Sequence, residues 1–172
     1  MVRLADTVEL ARSSASAGLG EEMPDDVVWS CDVEPPELTL ESDQGQLMQV
    51  FVILLENAFL AVEETDVAEV RVEAKSGENS VFIAVEDSGS GVKDTVAERL
   101  FEPFVTTRKR QTDSHGTGLG LAIARNIVTR HGGTIDVGDA ERGGARFEVR
   151  LPDEQQLLAA ATAARDDDAS TR

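Results

Sequence analysis

The sequence predicts an α/β fold: a two-layer α/β sandwich in which a mixed, mostly antiparallel sheet is covered on one face by about three helices. Apolar residues recur at helical spacing in three segments, and alternating apolar and polar residues mark two hairpins closed by polar or glycine-rich turns. The order along the chain is helix, two strands, helix, hairpin, irregular segment, helix and hairpin. One sheet with its helices packed on a single face accommodates this order.

The 172-residue chain is expected to form one main domain, and it carries a formal net charge of −17. This charge argues against binding to nucleic acid or to an anionic membrane surface, so an anionic ligand would need backbone N–H groups, a metal ion and a few placed cations. The single cysteine, Cys31, excludes an internal disulfide and a cysteine-built zinc site. Because no apolar run reaches membrane-spanning length and no signal-peptide pattern is visible, we expect a soluble, cytoplasmic fragment.

The first third of the chain predicts a helix over 4–17, a strand over 27–33 and, after two prolines, a second short strand in the LTL stretch. Ser42 or Asp43 can cap the next helix, which is expected to run to about residue 64. The apolar stripe of this helix is formed by Leu47, Val50, Phe51, Leu54, Ala58 and Ala61. On or near its other side lie Gln46, Gln49, Ile53, Glu56, Asn57 and Leu60.

The next segments predict a hairpin, with strands over 67–75 and 80–86 joined by a polar turn. The second strand ends in Asp87, Ser88, Gly89, Ser90 and Gly91. By itself, a D-x-G-x-G sequence is also compatible with a simple turn after a strand.

An irregular segment follows a predicted helix over 94–100. It is polar, lacks periodicity and contains the only run of three cations in the chain, Arg108, Lys109 and Arg110. Irregular stretches of this length in compact domains are more often functional lids than plain connections. Its position directly before a glycine-rich helix favours contact with phosphate, with a solvated basic loop as the alternative.

Three glycines then alternate with a threonine and a leucine, in the order Gly116, Thr117, Gly118, Leu119 and Gly120. Leu119, Ile123 and Ile127 recur every four residues and predict one apolar side of a helix that ends before two further glycines. Glycines that open a helix let its first N–H groups face an anion, where the helix dipole also favours negative charge. A phosphate chain is the expected ligand, although many such turns only cap helices.

A second hairpin is predicted over 134–137 and 146–151, joined through an ERGG turn. Beyond Pro152 the chain is alanine-rich and then acidic. We therefore expect one domain over residues 1–152, with its motifs in 43–151, and a flexible acidic tail over 153–172.

Four stretches, in this order and spacing, resemble the catalytic, ATP-binding domain of sensor histidine kinases. They are QVFVILLENAFLAVEE (the Asn box), EDSGSGV (the first glycine box), RLFEPFVTTR (the phenylalanine box) and GTGLGLAIARNIVTRHGGTI (the second glycine box). Each motif is weak or moderate alone, but the four together are specific. On FEPFVTTR and NAFLAVEE, the likeness is strongest to nitrogen-regulation-type and related sensor kinases.

The resemblance implies the Bergerat fold of the GHKL ATPases and a site for ATP and Mg²⁺. In that site Asp87 would accept a hydrogen bond from the adenine amino group, while Gly89 and Gly91 would let the backbone approach the base. Asn57 would coordinate the magnesium ion that bridges the phosphates.

The resemblance also implies how the phosphates are held. Arg108 and the backbone of residues 116–120 would bind them, beneath a lid over residues 105–115. Phe101 and Phe104 would contact the base of this lid or a neighbouring histidine-bearing helix.

Two features depart from the family pattern. The phospho-accepting histidine is expected on a separate dimerisation domain, because the two histidines here, His115 and His131, are expected to have surface or capping roles. The Asn box usually carries a second polar residue one turn before the metal-binding Asn, where this chain has Ile53. Helical spacing predicts that Ile53 shares a face with Asn57 and lies off the apolar stripe.

The sequence thus favours a protein-histidine kinase catalytic domain that transfers the γ-phosphoryl group of ATP to a histidine on another domain. Its partners would be that histidine-bearing domain and, indirectly, the receiver domain of a response regulator, with no nucleic acid or membrane contact by this fragment. The fragment alone is not expected to phosphorylate itself. One alternative is a nucleotide-binding regulatory module with little turnover because of Ile53. Another is a different ATPase of the superfamily, such as an anti-sigma serine kinase, against which FEPFVTTR argues.

Overall fold

The computed structural model describes residues 1–63, 65–105, 117–141 and 143–153, and a five-stranded sheet lies at its centre. In chain order the elements are β1 (Val2–Arg3), α1 (Leu4–Leu19), β2 (Val28–Glu34), β3 (Thr39–Leu40), α2 (Gln44–Ala61), β4 (Glu69–Ser76), β5 (Ser80–Asp87), α3 (Asp94–Ala97), α4 (Gly120–Arg130), β6 (Thr134–Asp139) and β7 (Ala145–Pro152). The sheet has the strand order β2–β4–β5–β7–β6. β2 is parallel to β4 and the other neighbouring pairs are antiparallel, which confirms the mixed, mostly antiparallel sheet.

A separate antiparallel pair joins the beginning of the chain to the segment before α2. In this pair, formed by β1 and β3, Val2 lies opposite Leu40. The sequence predicted the strand in the LTL stretch but not β1, because β1 is only two residues long and continues directly into α1. The N–H of Leu4 donates to the carbonyl of Leu38 (3.1 Å), so this pair also fixes where α1 begins.

Helices α1, α2 and α4 form the second layer, and α2 is its central member because it contacts α1, α4 and β5. The buried side chains of β4 alternate with more exposed ones, as expected when one face of a sheet is covered. The side chain of Asp43 accepts a hydrogen bond from the N–H of Gln46 (2.9 Å) and caps α2. The buried residues of α2 are Leu47, Val50, Phe51, Ile53, Leu54, Leu55, Ala58 and Phe59.

Ile53 lies in this core, so the prediction that it is off the apolar stripe was wrong. Its side chain is 9% exposed and belongs to the same cluster of buried apolar residues as Phe51 and Leu54. The physical reason is that α4 packs against α2 and covers this side of the helix. The periodicity of α2 alone cannot reveal such a neighbour.

The apolar side of α4 also differs from the prediction. Its buried residues are Ala124, Ile127 and Val128, whereas Ile123 is 40% exposed. A spacing of four residues advances 40° more than one helical turn, so a strict every-fourth pattern drifts off the buried side. Two helices are also shorter than predicted, because α2 ends at Ala61 and the short α3 ends at Ala97.

Of the helices in the described ranges, none combines the length and apolar character needed to cross a membrane.

The opposite face of the sheet carries a network of charged side chains centred on Arg146 in β7. Arg146 pairs with Glu86 in β5, with Glu148 (2.7 Å) and with Glu73 in β4 (3.7 Å). Burial acts to lower the pKa of Arg146, but hydrogen bonds and charges from Glu148 and Glu86 outweigh it and raise the pKa above its usual value. The network therefore ties three adjacent strands together across their polar face.

Candidate functional site

Asp87, the last residue of β5, is a buried carboxylate that the backbone holds in place. Its side chain is 4% exposed, and its Oδ1 accepts hydrogen bonds from the N–H of Gly89 (2.9 Å) and the N–H of Ala145 (3.2 Å). Hydrogen bonds to an ionised carboxylate are stronger than neutral ones and stabilise its charge. The orientation of Asp87 is thus fixed from two sides, by its own loop and by the start of β7.

The glycines beside Asp87 are needed because other parts of the chain approach their Cα atoms closely. A β-carbon on Gly89 would lie 2.5 Å from the carbonyl oxygen of Ala61, at the end of α2. Gly91 has a φ of 71°, and a β-carbon there would lie 3.2 Å from the carbonyl oxygen of Gly144. The two glycines of the first glycine box therefore let this loop pack between α2 and the β6–β7 turn.

Sequence reasoning missed the contribution of Gly144. It has a φ of 82°, and a β-carbon there would overlap the carbonyl oxygen of Asp87 and come within 2.7 Å of its Oδ1. The sequence predicts only a turn for the adjacent glycines, Gly143 and Gly144. No sequence signal could have found this role, because paired glycines are common in hairpin turns and the contact with Asp87 depends on β5 and β7 being neighbours.

Asn57 and Ile53 lie one turn apart on α2. The Nδ2 of Asn57 donates a hydrogen bond to the backbone carbonyl of Ile53 (2.7 Å), which orients the side-chain amide. The side chain of Ile53 meets the first residue of α4, because a β-carbon on Gly120 would lie 3.3 Å from its Cγ2 atom. The beginning of α4 therefore lies against the part of α2 that contains Ile53 and Asn57.

The beginning of α4 has the features of an anion-binding helix start. Leu119 at the N-cap provides no side-chain cap, and the first turn contains no acidic residue, although the chain is strongly acidic. Gly118 has a φ of 66°, and a β-carbon there would lie 2.7 Å from the carbonyl carbon of Phe104. The carbonyl of Gly118 accepts a hydrogen bond from the N–H of Phe104 (2.9 Å), so the phenylalanine box is tied to this loop. Thr117 is exposed beside it.

The two phenylalanines of that box have different surroundings. Phe101 is buried and contacts Phe147 edge-on, with 6.4 Å between ring centroids, and the guanidinium of Arg125 lies over its ring. Phe104 is 75% exposed and has a φ of 67°, which is uncommon for a non-glycine residue. Phe101 therefore belongs to the core, whereas Phe104 projects from it.

Several predicted residues cannot be compared with the structure. Arg108, Gly116 and His115, and with them almost all of the predicted lid, lie outside the described residues. The other histidine, His131, follows the last residue of α4, and its Nδ1 lies 2.9 Å from the carbonyl oxygen of Ile127. This position agrees with the predicted capping role of His131.

The site has two ends along α2. Near Ala61, the end of the helix meets the loop that holds Asp87, whereas near Ile53 it meets the beginning of α4. Eight residues separate these points, so they lie roughly 12 Å apart along the helix axis. The arrangement thus has a buried carboxylate at one end and a helix beginning without a side-chain cap at the other.

Comparison with known proteins identifies the family. The sequence profile described as "Histidine kinase-, DNA gyrase B-, and HSP90-like ATPase" matches residues 42–155, and the chain belongs to this family. It is 41% identical over 113 residues to the sensor histidine kinase ZraS of Escherichia coli O157:H7. The aligned region covers 66% of this chain and 23% of ZraS. It is 34% identical over 119 residues to sporulation kinase A of Bacillus subtilis (strain 168), covering 69% of this chain and 18% of that kinase. The chain thus spans about a fifth of the length of these curated relatives.

Solved structures show the same fold. The nucleotide-free catalytic domain of the histidine kinase ThkA superposes with a TM-score of 0.73 at 24% identity, covering 88% of this chain and 93% of that domain. Full-length ShkA in complex with AMPPNP superposes with a TM-score of 0.72 at 27% identity, covering 88% of this chain and 30% of ShkA. The fold is therefore that of the catalytic, ATP-binding domains of sensor histidine kinases, as the resemblance implied.

Proposed function

We propose that this chain binds ATP together with Mg²⁺ and transfers the γ-phosphoryl group to a histidine on a separate dimerisation domain of a two-component sensor kinase. The observation that carries the proposal is the buried Asp87 carboxylate, fixed by two backbone N–H groups at one end of a glycine-lined site. The family supports the nucleotide, and the names of the relatives support the acceptor.

Asp87 would read the base. An ionised carboxylate only accepts hydrogen bonds, so it fits the exocyclic amino group of adenine and not the carbonyl oxygen that guanine has in the equivalent position. Because Gly89 N–H and Ala145 N–H already hold Oδ1 at 2.9 and 3.2 Å, the carboxylate does not have to reorient when the base arrives. Gly89 and Gly91 would leave the backbone close to the plane of the ring.

Asn57 and the beginning of α4 would hold the other end of the nucleotide. The amide oxygen of Asn57 is a ligand of the type that Mg²⁺ prefers, and the bond from Nδ2 to Ile53 fixes how the amide is turned. In the described part of the chain, no group of three or more His, Cys, Asp or Glu side chains could form a metal site by itself. When bound, Mg²⁺ would neutralise part of the charge of the phosphates. The N–H groups from Thr117 to Gly120, with Gly116 and Arg108, would bind the phosphate oxygens.

The reaction would be a phosphoryl transfer between two bound groups. A ring nitrogen of the acceptor histidine forms a bond to the γ-phosphorus while the bond from that phosphorus to the bridging oxygen breaks, and ADP leaves with this oxygen. The residues of this chain would contribute mainly by positioning and by stabilising charge on the phosphates. A receiver domain of a response regulator would then take the phosphoryl group from the histidine.

Phe104 would contact the histidine-bearing partner. Its ring is exposed, and its backbone is tied to Gly118 at the loop that leads into α4. A partner helix that packs on this ring would therefore lie beside the phosphate end of the site. The net charge of −17 supports a protein partner over a nucleic acid.

The regulatory-module alternative rested on an apolar Ile53 beside the metal. Its burial in the core and the kinase names of the relatives favour the catalytic function. The test is to incubate the chain with γ-labelled ATP, Mg²⁺ and a purified histidine-bearing dimerisation domain. We expect label on the histidine domain and none when its acceptor histidine is replaced. ATP binding without any transfer to the cognate domain would instead support the regulatory module.

A further inference from the structure

We propose that Ile53 is a positioning residue that couples Asn57 to the phosphate-binding end of α4. The inference rests on the proposed function, because it assigns to Ile53 the task of aligning two groups that would hold the phosphates.

Two contacts on opposite parts of Ile53 support this role. Its backbone carbonyl accepts the hydrogen bond from Asn57 Nδ2 (2.7 Å), so it sets the direction of the amide. Its Cγ2 methyl is the atom nearest to a β-carbon built on Gly120, at 3.3 Å. Among the described residues outside the helix backbone and its chain neighbours, no other atom comes within 4 Å of that point. One residue therefore touches both halves of the phosphate end.

The contact with Gly120 limits where α4 can begin. A separation of 3.3 Å from a β-carbon is tighter than ordinary van der Waals contact, so glycine lets the first turn approach α2 as closely as it does. In the other direction, removal of the methyl would leave a gap beside the first turn, since close-packed interiors contain few voids. The spacing between the Asn57 amide and the first N–H groups of α4 thus depends on this methyl–glycine contact.

The experiment compares how tightly the chain binds Mg-ADP and adenosine. Adenosine reports on the base end near Asp87, and the ratio of the two affinities reports on the phosphate end. We expect Ile53→Ala, which removes Cγ2, to lower this ratio by about five- to tenfold, the size of a partly lost helix-terminus interaction. We expect Ile53→Val, which keeps Cγ2, to retain the wild-type ratio.

A matched control separates positioning from loss of stability. Leu54 is the next residue of α2 and is fully buried, but it does not come within 4 Å of a β-carbon on Gly120. Leu54→Ala should lower the unfolding temperature at least as much as Ile53→Ala and leave the ratio unchanged. A merely structural role of Ile53 would make the two alanine variants alike in both measurements.

A second experiment tests the contact from the side of α4, and its single variant, Gly120→Ala, does not depend on the folding of Ile53→Ala. Gly120→Ala adds a methyl that meets Ile53 Cγ2, while alanine favours the helix more than glycine does. We expect a lower ratio in this variant and partial recovery in the double variant with Ile53→Ala, so that the two effects are not additive.

The outcomes distinguish the inference from the proposed function. Failure of the wild-type chain to bind Mg-ADP more tightly than adenosine would contradict the proposed function, and the inference with it. Normal wild-type binding with an unchanged ratio in Ile53→Ala or in Gly120→Ala would overturn the inference alone. An equal fall of the ratio in Leu54→Ala would overturn it as well.

Discussion

A β-carbon built on Gly120, the first residue of α4, would lie 3.3 Å from the Cγ2 methyl of Ile53 in α2, so the two helices approach each other closely at these residues. This approach explains why Ile53 is buried although helical spacing predicted it on the polar face. It also changes the expected effect of a polar residue at this position, because that residue would be buried in the core.

We predict that Ile53→Asn destabilises the protein by about 2–4 kcal/mol, because it removes buried apolar volume and buries an amide. Urea unfolding followed by circular dichroism measures this change. Ile123→Asn on α4 is the control, since Ile123 is much more exposed and its replacement should cost less than about 1 kcal/mol. Similar unfolding midpoints for the two variants would contradict the core position of Ile53.

The paired glycines of the β6–β7 turn allow a closely matched comparison. Gly143 and Gly144 both have positive φ, but a β-carbon on Gly143 meets nothing within 4 Å, whereas one on Gly144 would overlap Asp87. Both alanine variants therefore carry backbone strain of about 1 kcal/mol or more. We expect only Gly144→Ala to weaken ATP binding and to lower the preference for ATP over GTP. If Gly144→Ala had the same affinity for ATP and the same affinity for GTP as Gly143→Ala, Gly144 would not be needed to position Asp87.

The charged network on the polar face of the sheet should contribute to stability. We predict that Arg146→Gln lowers the free energy of unfolding by about 1–2 kcal/mol, since Glu86 and Glu73 are only partly exposed and would lose their shared cation. Arg99→Gln removes a much more exposed pair with Glu102 and should change stability by less than about 0.5 kcal/mol. Thermal unfolding of both variants checks the difference, and a larger effect at Arg99 would contradict it.

The thiol of Cys31 should react slowly in the folded protein. Burial, followed by the charges of Glu9 and Asp32, raises its pKa from 9.0 to about 11. A rise of this size lowers the thiolate fraction at pH 8 by about 100-fold, and the thiolate is the reactive form. We expect Ellman's reagent to modify the native chain about 100-fold more slowly than the urea-unfolded chain, with the difference shrinking as the pH rises toward 11. Equal rates at pH 8 would show that Cys31 is not shielded.

The parts of the fold that depend on neighbouring residues in the sequence were predictable. Alternation and turns gave both hairpins, and the aspartate cap gave the start of α2. The side of α2 that contains Ile53 was not predictable, because its burial depends on α4, which is more than sixty residues away in the sequence. Ile123 is more exposed than predicted for a related reason, since spacing alone does not say which side of α4 is buried.

The candidate site was also predictable only in part. The motifs give Asn57, Asp87 and the glycines that follow Asp87, because their types and spacing are characteristic. They do not give Gly144 or the N–H of Ala145, which reach Asp87 only because β7 pairs with β5. Contacts made across neighbouring strands have no signature in a single sequence.

Calorimetric titration with Mg-ATP shows whether Asp87 recognises the adenine of ATP. The wild-type chain should bind with a micromolar or weaker dissociation constant, a free energy of about −8 kcal/mol or less favourable. Asp136→Asn, which makes the same change at an exposed carboxylate on the edge strand β6, should bind equally well. Asp87→Asn should bind at least about tenfold more weakly, because the fixed acceptor becomes a mismatched amide. Equal ATP affinity of Asp87→Asn and the wild-type chain would contradict the account.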